Sequence, residues 1–152
     1  MILTQQHIDD LTYKIIGCAI EVHRELGPGL LESIYEKCFL KELSLSSMEF
    51  RRQILVPIIC KGIDLNAEIR ADVLVDDLIL VELKAIDGIL PVHQAQLLSY
   101  MKLMQKPKGV LINFNCTNIF KEGQKTFVND LYIAHSNEFK INTICLPAVN
   151  FK

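Results

Sequence analysis

With 152 residues, half of them hydrophobic, and a mean hydropathy of +0.25, the chain is long and apolar enough to fold around a core rather than stay disordered. Its formal net charge of −2 is unlike that of a dedicated nonspecific nucleic-acid binder, although a local basic patch is compatible with contact to DNA. No apolar run approaches the roughly 20 residues of a membrane span, and the five scattered cysteines form no CxxC pair, which argues against structural zinc and for reduced thiols. The opening MILTQQHIDDLTYK has no basic segment followed by an apolar block, so a cytoplasmic protein with no membrane association is expected.

Thr4 is placed to cap a first helix from about Gln5 to Leu26, where Ile8, Leu11, Ile15, Cys18, Val22 and Leu26 form one apolar stripe. Gly27-Pro28-Gly29 stops it. A second helix, about Leu30 to Leu45, has an expected apolar face of Leu31, Ile34, Tyr35, Cys38 and Phe39. Glu32 lies at the edge of that face, awkwardly for a carboxylate unless something polar waits inside. The period changes at Phe50, and RRQILVPIICKG reads as a strand with an edge or bulge at Pro57. Leu65 to Val75 and Leu78 to Ala85 read as a hairpin joined near Asp76-Asp77. Pro91 opens a third helix to about Gln105, with Val92, Ala95, Leu97, Leu98, Met101 and Met104 apolar. Lys108 to Asn115 is a further strand, and Thr126 to Val128 and Ile141 to Leu146 are short ones. The expected whole is a single mixed α/β domain over residues 1–152, with the part after about residue 130 an unplaced extension.

The hairpin IRADVLVDDLILVELKA contains Asp72, Glu82 and Lys84 among apolar residues, and buried charges are costly unless paired. Glu82 and Lys84, two apart, share a strand face. A two-residue turn sets Asp72 against Val81, whereas a three-residue connection or a bulge sets it against Glu82, with β-carbons about 4.5 to 5.5 Å apart. Two carboxylates that close repel unless a cation or a proton lies between them, and a hard divalent cation suits oxygen ligands. The three-residue connection or a bulge is therefore expected. Asp72 and Glu82 would ligate Mg²⁺ or Mn²⁺, the Leu83 carbonyl adding a ligand, with Lys84 orienting a water or meeting developing phosphate charge. Equally, the same charges suit solvated strand ends. In the third helix His93, Gln96 and Tyr100 fall on one stripe beside the apolar one and can hydrogen-bond substrate, though a boundary between core and solvent looks the same, and His93 alone fits that bland reading better.

Asp72, Glu82-Leu83-Lys84 and Gln96-Leu97-Leu98-Ser99-Tyr100 together resemble the PD-(D/E)XK nuclease superfamily, the last element being similar to the QxxxY motif of its RecB-like exonuclease branch. Gly29-Leu30-Leu31-Glu32-Ser33-Ile34-Tyr35, with VHRELGPGLLESIYE, RADVLVDD, VELKA, AQLLSYMKL and GVLINF, resembles the GxxExxY protein family over about Leu11 to Val128. The resemblance implies a restriction-endonuclease-like fold, a mixed central sheet flanked by helices. It implies that Glu32 joins Asp72 and Glu82 at a metal, that Lys84 is the catalytic lysine, and that Gln96 and Tyr100 support DNA or metal. The expected activity is metal-dependent hydrolysis of nucleic-acid phosphodiesters, DNA foremost, in a chain able to form a homodimer. The rival is a non-catalytic nucleic-acid-binding or assembly module that keeps the fold. The intact Asp72, Glu82 and Lys84 favour catalysis. No Ser or Cys has a recognisable activating partner, which disfavours a covalent intermediate.

Overall fold

The computed structural model describes residues 3–135, so the strand expected at Ile141 to Leu146 lies outside the described residues. Helix α1 (Gln5–Leu26) begins at Thr4, whose hydroxyl accepts from the His7 N–H at 3.2 Å, and ends at Gly27 with φ 66°. Helix α2 (Glu32–Leu45) starts two residues later than the pattern suggests. It buries Tyr35, Phe39 and Leu43, while Leu31 and Ile34, expected on its inner face, are exposed. Strands β1 (Phe50–Cys60), β2 (Ile63–Val75) and β3 (Ile79–Lys84) form a meander. Helix α3 (Pro91–Met104) then crosses to β4 (Lys108–Asn113), which lies parallel to β3, and a single π-helical turn at Ile119–Gly123 leads into β5 (Gln124–Val128).

The sheet order is β1-β2-β3-β4-β5, antiparallel except for the β3–β4 pair. This is the mixed sheet flanked by helices expected of a restriction-endonuclease-like fold. On one face Val73, Val75, Ile79, Val81, Leu83, Val110 and Ile112 pack with the buried stripes of α1 and α2. On the other, Leu74, Leu80 and Leu111 pack with Leu97 and Met101 of α3. Alternation along β3 therefore assigns Glu82 and Lys84, like Leu80, to the α3 side. Val92, Ala95 and Leu98 of α3, expected in its apolar face, are exposed, because a narrow stripe of Leu97, Met101 and Met104, with Tyr100 beside it, meets the sheet. Gly109 on β4 permits that approach: a β-carbon there would lie 2.6 Å from Met101 Sδ and 3.0 Å from Leu97.

The β2–β3 connection is the three-residue one. Val73 pairs with Val81, Leu74 with Leu80 and Val75 with Ile79. Asp76 and Asp77 take φ of 49° and 58°, conformations Asp tolerates better than most residues, and Leu78 N–H closes the turn on the Val75 carbonyl at 2.9 Å. In β1, Pro57 sits beside a bulge on the sheet's edge strand, where a missing N–H costs little.

Candidate active site

The ladder between β2 and β3 stops at Val73–Val81, one residue short of Asp72 and Glu82. Beyond it the strands splay, and the two carboxylates take over the backbone's hydrogen bonds. Glu82 Oε1 accepts from the Asp72 N–H at 3.2 Å, and Asp72 Oδ2 accepts from the Leu83 N–H at 2.9 Å. Asp72 and Glu82 thus meet through interlocked side-chain and main-chain bonds rather than as an ordinary cross-strand pair. Glu82 is only 5 % exposed. Burial, then the adjacent Asp72 carboxylate and a hydrogen bond with it, push the Glu82 pKa up to about 8, against a smaller lowering pull from Lys84. Burial and the adjacent carboxylate thus favour the protonated form of Glu82.

Glu32 stands at the first turn of α2, where the helix dipole suits a carboxylate whatever else it does. It is open to solvent as a residue, yet partial desolvation and then Asp72 raise its pKa, while Lys84 lowers it and Glu36 raises it. The electrostatic neighbours are those of a shared site. Gly29 and Tyr35 explain why α2 starts there. Gly29 takes φ 96°, a conformation that favours glycine, and the Tyr35 hydroxyl donates to the Gly27 carbonyl and accepts from the Leu30 N–H. The Tyr35 ring stacks on Phe114 with centroids 4.5 Å apart. Lys84, half-buried at the end of β3, makes no ion pair within 4.0 Å among the described residues. Its carbonyl accepts from the Phe114 N–H at 2.9 Å.

The α3 residues are occupied on their own helix. His93 Nδ1 accepts from the Leu90 N–H at 2.9 Å and caps the helix start. Gln96 Nε2 donates to the Tyr100 hydroxyl at 2.7 Å. Among the described residues no hydrogen bond joins these three to Asp72, Glu82 or Lys84. Two groups carry no local sequence signal. Asn113, buried at the end of β4, donates to the Ile86 carbonyl and accepts from the N–H groups of Ile86 and Asn115, which fixes the loop leaving Lys84. Glu36, one turn beyond Glu32, accepts from Gln53 Nε2 with both oxygens and pairs with Arg52.

The class is a mixed-sheet fold flanked by helices, with two carboxylates at a strand splay and a lysine two residues on. A family model described as the PD-(D/E)XK nuclease superfamily matches residues 9–127, and the chain belongs to that superfamily. Neither the curated proteins nor the solved structures give a match. The superfamily typically uses divalent metal ions, and membership implies nuclease-like chemistry on nucleic acid. The donors here fit such an ion, since Asp72 and Glu82 offer only oxygen and lie side by side, each bonded to the other strand's main chain. Among the described residues no three His, Cys, Asp or Glu side chains are gathered as a ready-made cage. No described helix is long and apolar enough to cross a membrane.

Proposed function

We propose that the protein is a divalent-metal-dependent deoxyribonuclease of the RecB-like, GxxExxY kind. The observation that carries this is the Asp72–Glu82 carboxylate pair at the β2–β3 splay, with Lys84 on the same strand as Glu82. Asp72 and Glu82 would hold Mg²⁺ or Mn²⁺, with the Leu83 carbonyl and Glu32 as further oxygen donors, and water would complete the shell. Bound there, the ion lowers the pKa of a coordinated water and offsets charge on the scissile phosphate.

The chain's own groups do the rest. Glu82 gives up its proton when the site is loaded, since a ligand carboxylate must be ionised. Lys84, unpaired among the described residues, orients the attacking water and meets charge developing on the phosphate. Asn113 fixes the loop that follows Lys84. Gln96 and Tyr100, tied to each other on α3, face nucleic acid as a unit, and His93 has Nε2 to offer beside its capping bond. A cytoplasmic homodimer belongs to the same reading. Beyond the splay, β1 and β2 continue as a two-stranded arm that exposes Leu55, Ile59, Ile63 and Leu65, and such an arm is marginal alone in water.

The test is cleavage of linear, nicked and single-stranded DNA with Mg²⁺ or Mn²⁺. Wild type should cut, and Lys84→Ala should lose turnover while keeping its fold and its thermal response to Mn²⁺. Cleavage that survives Lys84→Ala would sink the mechanism. Binding without any cleavage in wild type would instead favour a non-catalytic module that keeps the fold.

A further inference from the structure

Glu32, Glu36, Asp72 and Glu82 make this region acidic, so a polyanionic substrate must be held by cations beside them. Lys84 is one. The second is Arg52 on β1, the cross-strand partner of Val73, which follows Asp72 directly. Its guanidinium is held in an unusual way. Nε lies 3.3 Å from Glu36 Oε1, and the Glu36 side chain is only 12 % exposed while that of Arg52 is 59 % exposed. Glu36 is itself fixed by Gln53 Nε2, at 3.2 and 3.1 Å from its two oxygens. Gln53 reaches it from a backbone with φ 48°, at the one position between Phe50 and Pro57 where the β1–β2 ladder lacks a pair, opposite Asp72.

The other ion-paired arginines spend a terminal nitrogen on their carboxylate: Arg24 gives Nη1 to Glu21 at 2.8 Å and Arg51 gives Nη2 to Asp77 at 3.0 Å. Arg52 instead approaches Glu36 with Nε at ion-pair distance, and among the described residues its guanidinium makes no hydrogen bond. A guanidinium whose nearest carboxylate contact is through Nε, on a largely exposed side chain, keeps its two terminal nitrogens for the two oxygens of a phosphate.

We propose that Arg52, anchored by Glu36, binds a backbone phosphate of the nucleic acid flanking the phosphate at Asp72 and Glu82. This rests on the nucleic-acid reading above but not on cleavage. The test is therefore equilibrium binding of a short fluorescent DNA in EDTA, across a series of KCl concentrations. Arg52→Ala should weaken binding several-fold and make the slope of log K against log salt shallower by about 0.7 to 0.9, the value for one lost phosphate contact. Arg52→Lys, which keeps the charge without the fork, should restore most of the slope but only part of the affinity. Arg24→Ala, on α1, should match wild type. An unchanged slope in Arg52→Ala, or an equal loss in Arg24→Ala, overturns the proposal. Absence of salt-dependent binding by wild type overturns it too, and is distinguishable because it removes the nucleic-acid reading itself.

Discussion

Glu82→Gln should make the metal-free protein more stable at pH 8 while leaving it nearly unchanged at pH 5. Glu82 is buried, and its pKa is pushed up to about 8 from the ordinary 4.5. Folded protein therefore keeps a proton that the unfolded chain gives up anywhere between those values. A group with a raised folded pKa contributes its full stability below the unfolded value, and that contribution drains away as pH rises toward the folded one. The steepest loss is about 1.4 kcal/mol per pH unit, so roughly 2 to 4 kcal/mol should go between pH 5 and pH 8. That is a large part of a usual stability of about 5 to 15 kcal/mol. Glutamine keeps the shape and a donor toward Asp72 but does not titrate. Urea unfolding of both proteins from pH 5 to 8.5 isolates the effect, because the other titrating groups cancel in the difference. The gap should widen with pH and level off above about 8. A gap that stays constant over that range refutes the assignment of the proton to Glu82.

The same proton makes metal binding pH-linked. Calorimetry at pH 7 in buffers of different ionisation enthalpy should show Mn²⁺ binding with release of close to one proton, and affinity rising with pH until about 8; binding without proton release would contradict the shared-proton site. Asp72→Asn should abolish the thermal response to Mn²⁺, and a retained shift would remove Asp72 from the ligand set. Gly109→Ala forces a β-carbon to 2.6 Å from Met101 Sδ, so a loss of about 1 to 3 kcal/mol is expected in urea unfolding, with no cost pointing to an α3 that moves freely. Tyr35→Phe leaves the Gly27 carbonyl and the Leu30 N–H without their partner and should cost about 1 to 3 kcal/mol, and an unchanged Tm would show that the loop is held by other means.

What the sequence revealed depended on whether the signal was local. Alternation in β2 and β3 and the misplaced charges among the apolar residues were enough to infer the register, by a three-residue connection or a bulge, because a one-residue slip moves every side chain to the other face. The faces of α2 and α3 were harder to read. Both helices carry more apolar residues than the sheet can cover, so which stripe turns inward is decided by contact with β2, β3 and β4 rather than by the helix's own periodicity. Hence Leu31, Ile34, Val92 and Leu98 stay exposed. His93 reads as a possible substrate ligand from its spacing, but its capping bond depends on the backbone at Leu90. Nothing in the residue type announces that Gln53 takes a positive φ, since Gly and Asn are the usual bearers of that conformation.

The hidden feature at Gln53 bears on why the site lies where it does. Regular pairing on both flanks would draw the Asp72 and Leu83 N–H groups into backbone bonds and leave the two carboxylates without these donors. At the splay those N–H groups instead bind carboxylate oxygens, so the break in the sheet supplies the polar partners that buried acids require. On the other side of Asp72, the β1–β2 ladder lacks its pair at Gln53, whose side chain is drawn to Glu36 on α2. Asp72 is thus released from regular pairing on both flanks. A strand that stayed fully paired would be more stable as a strand, but it would hold Asp72 and Glu82 apart from the donors that keep them side by side. The local loss of sheet is what allows a buried acid and a half-buried one to stand side by side, each held by a main-chain N–H of the other's strand.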